Sequence, residues 1–330
     1  MKRMSTLSIL CISLALWHGV VGTLIAPTVQ AQSTGTQGSW STKAPLPIKL
    51  SEVGVAAAND KIYVLGGIAP GRVYQPVNLE YDPVTDRWRE RAPLPRALNH
   101  AGAAGLNGKI YVVGAFTSEG HGGPLDAAFE YDPATDTWRA LAPLKSPRGS
   151  VGVTVLGGKI HAIGGRGPDK VTVGTHEVYD PASGKWSELA PLPKARDHLA
   201  VVAAGNGIHV IGGRLDGITQ NVALHDIYNP ATNTWETGVP MPTARSAVAR
   251  ALYQNMIVVS GGECRDKRTY TENEAYELSA GRWSTLAPLP AGRHGFGSVV
   301  IGRSLYFAAG ALDCGVGGRL SDELLVFTLP

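Results

Sequence analysis

Acids, histidines and arginines gather at one recurring place in this 330-residue chain. Arg148, Arg196, Arg245 and Arg293 stand 48 or 49 residues apart, and Leu50 and Leu98 hold the two preceding positions. The residues just after them vary: Glu52, Asn99-His100, Ser150, Asp197-His198, Ser246 and His294-Gly295. A histidine can carry a proton near neutrality or ligate a metal, and a carboxylate beside it completes an acid–base pair. Guanidinium groups grip carboxylates through paired hydrogen bonds. Glu52, His198 and, from a different loop, Glu263 are therefore the catalytic candidates. His100, Arg148, Arg196, Asp197, Arg245, Arg268, Arg293 and His294 are the ligand-binding candidates. Recurrence weighs against the arginines, because a residue repeated in most units more often serves the scaffold. They are suited equally to tying neighbouring units together through backbone carbonyls.

The elements that must position these residues repeat with them. KIYVLGG begins at Lys61, and variants begin at Lys109, Lys159, Gly207, Met256 and Ser304. An acidic run with a Tyr, then a Trp, then Pro-Leu-Pro or a close variant comes after each of the first five. From Trp40 the Trp spacings are 48, 50, 48, 49 and 48. A fixed period near fifty with several short strands indicates a propeller or solenoid. Each unit offers four strand-like runs, which in the second are Ala101–Leu106, Lys109–Val113, Ala127–Asp132 and Thr137–Ala142. Asn107-Gly108 and Gly157-Gly158 are hairpin turns, and Asp82-Pro83 and Asp132-Pro133 start turns between the third and fourth runs.

Phase at the two ends predicts closure. The chain enters at Trp40 in the fourth-strand position and leaves at Leu324–Thr328 in the third, so Trp40–Leu46 can complete the last unit. The expectation is all-β: a six-bladed β-propeller of four-stranded antiparallel blades, closed by its N-terminal strand.

Residues 1–31 read as a signal peptide, with Lys2 and Arg3, an apolar Leu7–Trp17 stretch and Val29-Gln30-Ala31 before Gln32. Residues 32–39 form a short leader and residues 40–330 the propeller. Cleavage near Ala31 would make the chain exported, periplasmic or secreted, with no membrane span afterwards. Losing two positive charges takes the net charge from +3 to +1, which gives no electrostatic reason to expect nucleic acid. Cys264 and Cys314 occupy the same loop in neighbouring repeats, and in an oxidising compartment they are a disulfide candidate. His100, His198 and His294 come from units two, four and six, a spread that argues against a compact three-histidine metal site. No metal and no cofactor is expected.

IYVLGG, EYDPVTDRW, APLP and a later Arg resemble Kelch repeats from about Trp40 to the end. That resemblance implies a propeller with two loop sets on one face: those entering each blade and those after the double Gly. The second set carries Arg72, Glu119-Gly120-His121, Arg166, Arg214, Glu263, Arg265, Arg268 and Asp313. Kelch-like propellers include protein-binding modules, galactose-oxidase-type copper enzymes and periplasmic N-acetylneuraminate mutarotases. Gly262-Glu263, Arg268 and Glu274 resemble the acid- and base-bearing loop of those mutarotases. The copper enzymes need a Tyr/His/Cys set, whereas the Tyr residues here sit at scaffold positions. No Gly-x-Ser-x-Gly elbow, His-Glu-x-x-His helix, phosphate loop or dinucleotide fingerprint is present. The expectation is an exported monomer that binds a protein or a small carbohydrate through its loop face. A mutarotase-like isomerase is the alternative, and a copper oxidase the weaker third.

Overall fold

The computed structural model describes residues 38–217, 219–264, 267–315 and 318–330, without the side chain of Glu119. The signal-peptide expectation, most of the leader and Arg265 lie outside the described residues.

Six four-stranded antiparallel sheets and one two-stranded ribbon, Ile68–Ala69 with Val73–Tyr74, make up the described residues. Blade 1 comprises Gly54–Ala58, Lys61–Leu65, Asn78–Asp82 and Arg87–Glu90. Its inner strands are almost wholly buried, because sheet packs against sheet on both sides; the outermost strand is exposed. Hairpin turns arise from residue type. Asn107 and Gly108 take φ of 51° and 75°, the left-handed pair that a two-residue turn between right-twisting strands requires.

The ring closes as the phase of the ends predicts. Ser39–Lys43 pairs with Leu324–Thr328, placing Trp40 opposite Phe327, and so supplies the outer strand of the sixth blade. A ring has no exposed end sheet to pair with another chain.

The seams between blades are built alike. The indole of every repeat Trp donates to a carbonyl of the preceding blade's exit segment: Trp88 to Ala44 (2.8 Å), Trp138 to Ala92 (2.8 Å) and Trp186 to Ala142 (2.7 Å). Trp235 to Ala190 (2.9 Å), Trp283 to Val239 (2.9 Å) and Trp40 to Ala287 (3.1 Å) complete the set. The last of these crosses the closure.

One blade departs from the pattern, and residue type explains it. In five blades the second residue of the Gly-Gly or Ala-Gly pair is a glycine with positive φ; in blade 2 it is Ala115. At Gly67, with φ 106°, a side chain would also press to 2.8 Å from the Ser51 carbonyl. With Ala115 the strand does not turn away. The expected Lys109–Val113 and Ala127–Asp132 run on as Lys109–Ser118 and Gly122–Asp132, a long hairpin with His121 at its tip.

Candidate functional site

Six equivalent residues close the propeller axis. Glu52, His100, Ser150, His198, Ala247 and Gly295, one from each blade, take φ between 52° and 60°. In that conformation each N–H donates to the carbonyl of the equivalent residue one blade earlier. The distances are 2.6 Å (Glu52 to Gly295), 2.9 Å (His100 to Glu52), 3.0 Å (Ser150 to His100), 3.4 Å (His198 to Ser150), 2.9 Å (Ala247 to His198) and 3.3 Å (Gly295 to Ala247). The result is a closed ring of six backbone hydrogen bonds. Five members are not glycine, and left-handed backbone costs such residues of order 1–2 kcal/mol each. Strain kept at five positions marks a geometry worth a functional hypothesis.

The ring gathers side chains that lie far apart in sequence into two linked networks. In the first, Glu52 sits between two histidines: its Oε2 is 3.1 Å from His100 Nε2 and its Oε1 is 3.1 Å from His294 Nδ1. His294 Nε2 lies 3.0 Å from the Asp313 carbonyl, so both of its nitrogens face acceptors and the imidazolium is favoured. Burial pulls its pKa down, but the Glu52 hydrogen bond and the charges of Glu263 and Glu52 lift it to about 9. Burial raises Glu52, yet His100 and His294 outweigh it and hold the carboxyl at about 2. The Asn99 amide donates to the Phe116 carbonyl (3.1 Å), leaving its oxygen to accept from His100 Nδ1. Burial drives His100 towards the neutral form, and the charge of Glu52 opposes it.

Asp197 organises the second network. It is fully buried; Oδ1 accepts from His198 Nδ1 and from Arg214 Nε (3.0 Å), and Oδ2 from Arg166 Nη1 (3.3 Å). Burial raises its pKa against the pull of both arginines. Arg214 Nη1 holds Glu263 Oε2 at 2.7 Å, and Glu263 Oε1 accepts from the Gly315 N–H (3.2 Å). Cys264 and Cys314, Cα atoms 5.3 Å apart, are at disulfide distance and fasten the two loops that meet there.

The histidines lie closer together than their repeat numbers suggest. His100, His121 and His198 offer ring nitrogens within 4.8 Å of one another, and their ring centroids are 4.9–5.1 Å apart. The expected spread around the opening is corrected: the hydrogen-bonded ring is narrow, and His121 arrives from the extended hairpin. These three could hold a transition-metal ion. Arg214 Nη2, however, already lies 3.1 Å from His198 Nε2 and 3.3 Å from His121 Nε2, so an ion would have to displace a cation. The same contact weakens an acyl-transfer reading of Ser150, His198 and Asp197. Ser150 Oγ is 3.2 Å from His198 Nε2, but Arg214 competes for that lone pair.

Kelch motifs match residues 49–95, 97–145 and 147–193, and the four-stranded blades continue around the ring. The chain is a six-bladed propeller whose first three blades are Kelch motifs. Among solved structures, that of YjhT superposes with a TM-score of 0.76 over 88% of this chain and 97% of its own, at 17% identity. At that identity the likeness is one of fold. No curated protein matches the chain in sequence.

Within this propeller the sequence candidates divide. Glu52, His100, Asp197, His198, Glu263 and His294 meet at the axis. Arg148, Arg196, Arg245 and Arg293 do not: all are fully buried and bound to Glu177 (2.6 Å), Asp226 (2.8 Å), Glu274 (2.7 Å) and Glu323 (2.6 Å). Their ligand-binding candidacy gives way to a scaffold role, and the tie is not between neighbouring units: each fastens the loop entering a blade to residues in or next to that blade's own second and third strands. Arg268 is exposed on its loop, where its backbone bridges to Asp313. His121, Arg166 and Arg214, which the sequence offers only among the double-Gly loop residues, join those that meet at the axis. The signal for His121 was Ala115 in place of a glycine.

Proposed function

We propose that this propeller binds a small polar ligand of the carbohydrate class at the axial site and moves protons on it, in the manner of a sugar mutarotase. The observation that carries this is Glu52 held between His100 and His294 beside the Asp197–His198 pair, all buried. A module that merely docks proteins has no need of several buried acids and histidines in one network, since each must be desolvated. Perturbed titration at such a constellation favours chemistry.

Mutarotation suits the groups present. The anomeric hydroxyl gives up its proton, the ring oxygen gains one, the bond between the anomeric carbon and ring oxygen breaks, and the open-chain carbonyl recloses on its other face. The reaction needs one acceptor and one donor, held on a rigid frame. The His100–Glu52 pair is suited to serve, and the Asp197-backed His198 joins it once the ligand draws Arg214 Nη2 away from His198 Nε2. Glu263 is committed to Arg214, and Arg166 and Arg214 to Asp197, so all three act as positioning residues. Export, with cleavage near Ala31, belongs to the same proposal; the Cys264–Cys314 pair fits an extracellular or periplasmic location.

Two measurements test it. Melting of the purified protein should rise with concentration of an acidic or neutral sugar. Anomer exchange of the sugar that shifts it, monitored by NMR, should disappear in Glu52→Gln. No shift with any sugar would favour the protein-binding module, and unchanged exchange in Glu52→Gln would remove Glu52 from the mechanism.

A further inference from the structure

Below the hydrogen-bonded ring the first strands of the six blades enclose an axial channel of about 320 Å³. Three residues past the ring, the uppermost tier of its wall reads Val55, Ala103, Val153, Val201, Arg250 and Ser298. Five members are small or apolar; one is a long cation. A residue type found in one blade only, at a position the other blades fill with short side chains, is not demanded by the scaffold.

No described residue neutralises Arg250. The channel wall contains no Asp or Glu. Ser298 Oγ donates to the Arg250 backbone carbonyl (2.9 Å), leaving the guanidinium untouched. Burial alone lowers its pKa, with no opposing charge. Each of the four buried tying arginines, by contrast, has its own carboxylate. A guanidinium stays protonated in any protein, and half-buried in the channel wall without a counter-charge it favours an anion beside it.

We infer that the channel is a second ligand site, on the far side of the ring from the proposed sugar site, which takes a small aliphatic carboxylate. The planar guanidinium pairs with both carboxylate oxygens. The valines and alanines of the wall accept the hydrocarbon part, as apolar pockets with one polar anchor do. At roughly 30 Å³ per water molecule the channel has room for about ten, or for a short-chain acid with some of its hydration. Entry is from the hairpin end of the strands, where Leu252 lies on the exposed rim. This inference does not depend on the sugar reading.

Crystals grown with 3-bromopropionate should show an anomalous bromine peak inside the channel, next to Arg250. Butyrate should raise the melting temperature of the purified protein, acetate less so, and butanol not at all. Arg250→Met should weaken butyrate at least tenfold, with Arg250→Lys in between. A bromine peak only above the ring, or none, overturns the proposal, whether or not the variants fold. So does an equal butyrate shift in wild type and Arg250→Met. Sulfate matching butyrate would overturn the carboxylate assignment.

Discussion

The repeated scaffold of the blades and the axis above the ring use the same kinds of side chain to opposite ends. In the scaffold each of these arginines has one acid of its own blade: Arg148 has Glu177, Arg196 has Asp226 and Arg245 has Glu274. The arrangement recurs blade after blade, as does the Trp-to-carbonyl bond. At the axis partners are shared. Asp197 serves His198, Arg166 and Arg214, and Glu52 serves two histidines. No two neighbouring blades contribute the same ring residue. A pair with one partner is a fastener, whereas a network with shared partners can pass a proton or exchange a member for a ligand. The difference teaches that function in this repeat protein resides where repetition fails.

The hardest blow to the scaffold side would be removal of residues 39–46. Without them blade 6 loses its outer strand and the Trp40 contacts to Phe307 and Phe327. Cooperative melting should disappear, and Trp40→Ala alone should cost about 3–5 kcal/mol. Unaltered calorimetric melting of the truncated chain would contradict closure as a source of stability.

Next in size is the fastener. Arg148→Ala leaves Glu177, fully buried, without a counter-charge, and should cost about 3–5 kcal/mol in denaturant unfolding. Arg148→Met with Glu177→Leu should recover most of the loss, since an apolar pair of similar volume avoids desolvating two charges. If the double variant is no better than the single one, the arginine does more than fasten.

At the axis the expected ranking inverts. Glu52→Gln should reduce sugar anomer exchange by about 10²–10⁴-fold, the usual worth of a proton-transfer group, while melting changes less than in Arg148→Ala. A Glu52→Gln protein as unstable as the fastener variant would erase the distinction between the two regions.

How much of this the sequence disclosed obeys the same division. The Trp period, the double glycines and the phase of the ends contain the whole ring, because each blade must repeat the same packing. The closing strand was legible from Trp40 in the fourth-strand position together with an exit at Leu324–Thr328 in the third. The register also brought out Glu52, His100, His198 and His294, but not their meeting, which depends on a left-handed backbone at Glu52, His100, Ser150 and His198. No local sequence rule anticipates positive φ at such residues. His121 needed the run-on strand created by Ala115. Arg250 is a different failure: comparing the five other residues at its repeat position would have exposed it.

The smallest expected effect is a dependence on pH, arising where the seams themselves vary. Tyr63 donates to Glu80 (2.8 Å) and Tyr111 to Glu130 (2.8 Å) in blades 1 and 2. Blades 3 and 4 place histidine pairs there instead, His161 Nδ1 to His176 Nε2 (2.9 Å) and His209 Nδ1 to His225 Nε2 (2.8 Å). Each bond needs one nitrogen as donor and one as acceptor, so the pairs are built for neutral rings. Burial depresses them, His161 and His209 to about 4 and His176 to about 3. The unfolded chain takes up protons near pH 6.5 and the folded chain does not. Their contribution is therefore full above pH 6.5 and lost as pH falls towards 4. His294 runs the other way: raised to about 9, its contribution is full below pH 6.5 and fades as pH rises through 9. Stability should peak near neutrality. Carrying the blade 1 residues into blade 3, as His161→Tyr with Val178→Glu and His176→Asn, should flatten the acid limb of melting temperature against pH and leave the alkaline limb alone. An acid limb of undiminished slope would mean that the histidine pairs are not what acid attacks.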